Sequence, residues 1–169
     1  MNRVDFIKLA HKRVPIRKYL EQKVEKEKLQ KILDAAKVAP VVVNTLPPKI
    51  IVIQEKEDFA NLAKGAPAYG APIALLVCAE QNPVWRRPSD GKFMGEVDAS
   101  IAADYMALQA TELDLGTCWF CHFNAGVIKK EFNLPENLEP VNILFLGYAA
   151  DEQEEFNGYL ESCITDAVF

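Results

Sequence analysis

Apolar positions along the chain alternate between stretches with helical spacing and short continuous runs. Recurrence every three or four positions predicts helices over residues 5–13, 26–38, 56–64, 97–113 and 125–132. Short apolar runs bounded by glycine, proline or polar residues predict strands over residues 49–54, 72–79, 116–121 and 140–148. Interleaving of this kind, with few short strand–helix–strand units, favours an α+β fold in which helices wrap a small, mostly antiparallel central sheet.

The segments between these elements carry breaking signals. Pro15 ends the first helix and predicts an extended exit towards Tyr19. The double proline at 47–48 predicts a loop over residues 41–48. Residues 81–96 form a long polar stretch, which is typical of a lid or of a disordered segment. We expect one domain over residues 1–169, with residues 151–169 as an acidic tail or arm.

Composition and charge exclude several classes of protein. The net charge of −5 and pI of about 5.1 argue against a general nucleic-acid binder. The longest apolar run, residues 72–79, is too short to span a bilayer, and the charged N-terminus does not resemble a signal peptide, so we expect a cytoplasmic protein without a membrane partner. Residues 1–40 have a net charge of +6 and residues 131–169 a net charge of −9, so a basic head and an acidic tail could pair.

Two arginines flank the proline break after the first helix. Arg13 and Arg17 lie four positions apart, one at the end of the helix and one in the extended exit. Guanidinium groups in such positions can converge on one anion, for which phosphate is the usual candidate. The alternative is that these basic residues simply decorate a surface helix.

The segment 118–122 reads Cys-Trp-Phe-Cys-His, which matches haem-attachment and thiol redox motifs as text. Its setting argues against both, because the segment reads as a strand and export is not expected. A zinc site would need two more ligands nearby, and no second Cys-x-x-Cys pair exists. We therefore expect no metal, and free cysteines that pack in buried or half-buried positions.

The usual catalytic motifs are absent from the sequence. There is no glycine-rich dinucleotide loop, no P-loop and no nucleophile elbow, and the chain has two histidines. Asn44, in the loop between a valine run and two prolines, could pair with the edge of a heterocycle, although a role in the turn is the simpler reading. We expect no catalytic side chain, which makes a bound cofactor the natural source of any chemistry.

Taken in order, four segments resemble the motifs of the nitroreductase family of FMN-dependent oxidoreductases. Residues 13–19 resemble the family's R-R-S-I-R-K-Y motif, and residues 39–48 resemble A-P-S-A-x-N-x-Q-P-W. Residues 98–121 resemble a long helix that begins D-x-x-x-A and runs into L-G-L-G-T-C-W-I-G. Residues 134–148 resemble the last motif, which ends in L-G-Y.

This resemblance implies an intertwined homodimer with FMN at the subunit interface. It places Arg13 at the phosphate or ribityl chain, Arg17 near the N1/O2 side of the ring, and the loop 40–44 on the partner subunit. Backbone of residues 119–121 would line the ring near N5. The cofactor-binding residues that it implies are Arg13, Val14, Pro15, Arg17, Pro40, Val41, Val42, Asn44, Leu46, Trp119, Phe120 and Cys121.

The implied activity is a ping-pong transfer of a hydride from NAD(P)H through FMN N5 to a nitroaromatic, quinone or enone-type acceptor. Trp85, Arg86 and Arg87 could shape the acceptor face from the predicted lid, or could belong to a mobile surface loop. Departures from the family pattern motivate an alternative, a flavin-binding homodimer with little turnover. Pro15 replaces a serine, Val41 and Val42 replace polar residues, and no Lys or Arg follows residue 130.

Overall fold

The computed structural model describes residues 5–42, 48–81 and 85–151, and within them the predicted order of helices and strands is confirmed. The helices are α1 (Phe6–Lys12), α2 (Lys26–Lys37), α3 (Lys56–Leu62), α4 (Gly95–Glu112) and α5 (Ala125–Glu131). The strands are β1 (Lys49–Ile53), β2 (Ile73–Glu80), β3 (Gly116–Phe120) and β4 (Leu138–Gly147). Asn44, Leu46, Cys163 and the predicted tail from residue 152 onwards lie outside the described residues.

The four strands form one antiparallel sheet in the order β1-β2-β4-β3. The central strand β2 is apolar throughout because helices cover both of its faces, and seven of its eight residues are buried. Strand β3 lies at the edge and pairs on one side with β4. The predicted α+β class, with a small antiparallel sheet between helices, is therefore confirmed.

Each face of the sheet packs against its own helices. On one face, α2 and α4 cover a core that includes Leu75, Val77, Leu144 and Leu146. On the other face, residues of α3 and α5 cover a core that includes Leu76 and Phe145. The buried face of α4 is made largely of small side chains, which let the helix approach the sheet closely: Ala99, Ala102, Ala103, Ala107 and Ala110.

Two elements begin two residues before the position that the sequence predicts. Helix α4 begins at Gly95, two residues before the predicted start, and Gly95 fits tightly against Phe93 and Ala79, where a Cβ would clash. Strand β4 begins at Leu138 rather than at Pro140, and Pro140 lies where the β2–β4 register shifts between Val77 and Cys78. A register irregularity tolerates a proline that cannot donate to the ladder.

Candidate functional site

The basic turn after α1 docks on the free edge of β3. The Ile16 amide donates to the Thr117 carbonyl at 2.8 Å, and Pro15 forms a parallel bridge with Thr117. Ile16 is buried, and Gly116 leaves room for it, since a Cβ at that glycine would stand 2.5 Å from the Ile16 Cγ1 atom. Two segments about a hundred positions apart, residues 13–17 and 116–121, are therefore neighbours in the fold.

Contacts on either side of the docked turn fix its position. Before it, Lys12 Nζ donates to Asp114 Oδ1 at 2.5 Å, which ties the end of α1 to the residues that precede β3. Asp114 adopts a positive φ of 60°, a conformation that aspartate tolerates better than most residues. After the turn, the Tyr19 hydroxyl donates to the Ile16 carbonyl at 2.8 Å. The chain thus holds Arg13 and Arg17 beside the edge strand.

The two arginines differ in exposure. Arg13 is half-buried at the C-terminal end of α1, whereas Arg17 is exposed. Burial raises the pKa of the Cys118 thiol, and the positive charge of Arg17 opposes that rise. Burial likewise raises the pKa of Tyr19, with Cys118 adding to the rise and Arg17 opposing it. The charge of Arg17 therefore acts electrostatically on the buried cysteine of β3.

Beyond Thr117, the outer edge of β3 is open. The Thr117 carbonyl points to this outer edge, where it accepts the Ile16 amide. Because backbone groups of a strand alternate sides with a period of two, the N–H and C=O of Trp119 point to the same outer edge. Among the described residues no backbone partner pairs with Trp119 on this outer side. Within residues 5–42, 48–81 and 85–151, the edge therefore presents one unpaired donor and one unpaired acceptor next to the basic turn.

The Trp119 side chain faces a groove along α4. Its indole N–H donates to Cys121 Sγ at 3.2 Å, which orients the ring. The groove has a volume of about 600 Å³, and its other lining residues all come from α4: Glu96, Val97, Ser100, Ile101 and Asp104. The groove is therefore lined by apolar side chains, by the carboxylates of Glu96 and Asp104, and by the partly exposed Trp119 ring.

Phe120, the next residue of β3, points to the opposite face of the sheet. Its ring lies 5.8 Å from that of Tyr69 and 6.0 Å from that of Phe145, within the core covered by α3 and α5. Any contact of Phe120 with a ligand at the outer edge would therefore involve its backbone rather than its ring.

The described part of the predicted cofactor loop lies against the start of α4. Asp98 is 7% exposed, and its Oδ1 atom accepts the Val42 amide at 2.9 Å. Pro40 is exposed, and Val41 and Val42 are half-buried. Asp98 begins one of the motifs that resemble the family, but the sequence predicted no binding role for it. A contact between residues 56 positions apart leaves no signal in the local sequence.

The described part of the predicted lid, residues 85–94, is a closed turn. Arg87 forms a bidentate ion pair with Asp90 in the same turn, and its amide donates to the Lys92 carbonyl at 3.0 Å. Arg86 lies over the Phe93 ring at 5.5 Å and donates to the Gly91 carbonyl at 3.3 Å. Both arginines are therefore engaged locally.

The cysteines have different environments. Cys78, Cys118 and Cys121 are free thiols, as predicted for the part of the chain that the structure describes. Cys78 and Cys118 are buried, but the expectation that Cys121 packs in a buried or half-buried position is wrong. The predicted strand 116–121 ends at Phe120, so Cys121 lies beyond the sheet and is exposed.

Two further observations bear on the sequence expectations. Lys18 in the basic head pairs with Asp151 at 3.2 Å, although both side chains are largely exposed and such a pair contributes little to stability. No helix within the described residues is both long and apolar enough to cross a membrane.

Comparison with known proteins gives a consistent picture. The model of the nitroreductase family matches residues 10–67 and 60–148. A protein of Methanothermobacter thermautotrophicus, provisionally named NADH dehydrogenase/NAD(P)H nitroreductase, is 30% identical over 159 residues, which cover 89% of this chain and 81% of that protein.

Solved structures agree with the family match. A nitroreductase family protein from Clostridium difficile 630 has a TM-score of 0.93 and 45% identity, covering 98% of this chain and all of that one. An FMN-dependent nitroreductase from Clostridium difficile R20291 has a TM-score of 0.77 and 33% identity, covering 94% of each chain. The resemblance inferred from four sequence motifs is confirmed, and the chain belongs to the nitroreductase family.

Proposed function

We propose that the chain passes a hydride from NAD(P)H through FMN to a nitroaromatic, quinone or enone-type acceptor in a ping-pong reaction. The general part of this statement, an FMN-dependent oxidoreductase that uses NAD(P)H, rests on the family and on its FMN-dependent and NAD(P)H-dependent relatives. The acceptor class, the order of the steps and the residues that hold the cofactor are the proposal.

The docking of the basic turn on β3 is the observation that carries the proposal. It brings the chain positions of Arg13 and Arg17 to a strand edge whose Trp119 N–H and C=O are unpaired within the described residues. FMN needs a cation for its phosphate, polar partners for the edge of its ring and an apolar surface for the ring itself. These residues and the groove beside Trp119 supply all three kinds of contact.

Arg13 is the residue assigned to the phosphate or the ribityl chain. A half-buried guanidinium loses less side-chain freedom on binding than an exposed one, and it offers paired donors to phosphate oxygens. The Lys12–Asp114 contact fixes the residue before it, so the backbone of Arg13 is held in place before any ligand arrives.

Arg17 and the β3 edge are assigned to the ring. When bound, FMN supplies the atom that accepts and donates the hydride, N5, while negative charge develops near N1. Arg17 would stabilise that charge, because a cation held near N1 acts where the negative charge develops. The Trp119 backbone orients the ring edge, and no side chain of the protein needs to transfer a proton or form a bond.

A second copy of the chain is the proposed cover for an apolar surface formed by α1, the end of α2 and α4. Phe6, Val38 and Tyr105 are 60%, 74% and 39% exposed and line a second groove. This groove shares Asp104 with the groove beside Trp119, so the two adjoin. A homodimer through this face would let the 40–44 segment of one subunit, with Asn44 at its end, reach the flavin of the other subunit, and Leu46 follows two residues later.

The test is purification without added cofactor, followed by anaerobic addition of NADH or NADPH. We expect a flavin spectrum that bleaches on reduction, and loss of bound FMN in Arg13→Ala. Lys8→Ala, a change to an exposed lysine on α1, is the control and keeps the flavin. A protein that cannot be loaded with FMN contradicts the proposal, whereas bound flavin that does not bleach favours the flavin-binding homodimer with little turnover.

A further inference from the structure

Asp98 carries a buried carboxylate that reaches across to a distant segment. It belongs to the first turns of α4, is 7% exposed, and accepts the amide of Val42 at 2.9 Å. Burying a carboxylate costs free energy of folding unless the group is paired or hydrogen-bonded, so the partner of Asp98 shows which contact compensates its burial. Here the partner is the backbone of the segment that connects α2 to β1.

The position of Asp98 in the helix explains how the carboxylate is tolerated. Helix N-termini favour negative charge, and α4 carries both Glu96 and Asp98 in its first turn. Helix α4 has no side-chain cap, since Met94 at the N-cap forms no such hydrogen bond. The Asp98 Oδ1 atom therefore contacts residues 40–42 through the Val42 amide, rather than closing the end of its own helix.

The same turns of α4 line the groove beside Trp119. Val97 and Ile101, one position before and three positions after Asp98, contribute to that groove. The start of α4 thus contacts the 40–42 segment through Asp98 and lines the Trp119 groove through Val97 and Ile101. Asp98 is therefore one contact that fixes residues 40–42 relative to the start of α4.

We infer that Asp98 is a positioning residue for the flavin site, which it serves by holding the segment 40–42 in its binding conformation through the Val42 amide. This inference rests on the proposed function. With the anchor in place, the segment is ordered before the cofactor binds, and binding does not have to bear the ordering entropy. Without it, the segment loses one of the contacts that order it, and a larger part of the ordering cost falls on binding.

The test compares Asp98→Ala with Asp98→Asn, which keeps an oxygen that can accept the Val42 amide. Asp58→Ala and Asp58→Asn are matched controls, because Asp58 also lies in the first turn of a helix, α3, but on the opposite face of the sheet and outside the candidate site. The readouts are hydrogen exchange of the Val42 amide in the cofactor-free protein, the melting temperature, and the Kd for FMN.

We expect Asp98→Ala to speed exchange of the Val42 amide and to weaken FMN binding by about tenfold or more, the loss typical of one buried hydrogen bond. Asp98→Asn should recover most of both properties, and the Asp58 variants should retain wild-type FMN binding. Wild-type FMN affinity in Asp98→Ala, unchanged exchange at Val42, or an Asp98→Asn variant as weak as the alanine variant would overturn the inference. A wild-type protein that takes up no FMN would instead remove the proposed function itself.

Discussion

Gly116 and Ile16 are in such close contact that a single added methyl group would separate them. A Cβ on Gly116 would lie 2.5 Å from Cγ1 and 3.0 Å from Cβ of Ile16. Ile16 is the residue whose amide joins the basic turn to β3. The glycine therefore sets the distance between the two arginines and the edge strand.

This contact makes Gly116→Ala a test of the docked turn. We expect the variant to lose about 1–3 kcal/mol of unfolding free energy through overpacking, and to bind FMN more weakly because Arg13 and Arg17 move away from β3. Denaturant titration and FMN fluorescence measure the two effects. Gly126→Ala in α5 is the control, because the nearest atom to its Cβ is 3.5 Å away and alanine favours a helix. Equal unfolding free energies and equal FMN affinities in the Gly116→Ala and Gly126→Ala variants would contradict the role of Gly116.

Tyr19 predicts a specific dependence of stability on pH. Burial raises the pKa of its hydroxyl well above the ordinary value, so the folded state keeps the proton at a pH where the unfolded state releases it. Its contribution to stability is therefore fully present below about pH 10 and decreases as the pH rises beyond that value. Tyr19→Phe should lose about 1 kcal/mol at neutral pH, through the hydrogen bond to the Ile16 carbonyl, and should show a shallower decline at alkaline pH. Parallel stability curves for the two proteins would show that the Tyr19 hydroxyl is not buried.

The cysteines predict an ordered pattern of chemical labelling. Burial raises the pKa of Cys78 to about 12 and also raises that of Cys118, whereas Cys121 is exposed. In a Cys163→Ser background, a thiol reagent should modify Cys121 in the native protein, and Cys78 and Cys118 after unfolding. Mass spectrometry of the labelled protein checks the order.

The same residues separate flavin chemistry from thiol chemistry. We expect Cys118→Ser and Cys121→Ser to change turnover modestly, since the assigned site uses backbone groups of β3 and no thiol. Abolished turnover in either variant, with FMN still bound, would favour a thiol redox mechanism over the proposed one.

Val38 predicts the location of the subunit interface. It is 74% exposed at the end of α2, in the groove that also contains Phe6 and Tyr105. Val38→Glu should convert the protein to a monomer and reduce FMN binding, because the 40–44 segment of the partner would be lost. Sedimentation velocity measures the oligomeric state, and Ala60→Glu, at an exposed position of α3, is the control. A dimeric Val38→Glu variant would place the interface elsewhere.

The elements of the fold were predictable because local patterns determine them. The continuous apolar run over residues 72–79 predicted a strand, and the apolar spacing over residues 97–113 predicted a helix, and both elements are confirmed. The boundaries were less predictable where a tertiary contact decides them. Pro140 would ordinarily end or begin a strand, yet the register shift opposite Cys78 lets β4 continue through it.

The candidate site was predictable where it depends on motif order and unpredictable where it depends on packing. The resemblance brought residues 13–17 and 116–121 to one ligand, and the structure places them side by side. Nothing in the local sequence indicated that Asp98 would bind the Val42 amide or that Asp114 would hold Lys12, because partners far apart in sequence are joined by the fold alone. The exposure of Cys121 was missed because the strand ends one residue earlier than its pattern suggested.

The most direct measurement of the central claim is a crystal structure of the protein after FMN is added. The account predicts flavin density at the contact between two subunits, with the ring along the outer edge of β3 at Trp119, the phosphate at Arg13 and the N1 side of the ring facing Arg17. Density for FMN in another part of the molecule, or a monomer with an empty β3 edge at saturating FMN, would contradict it.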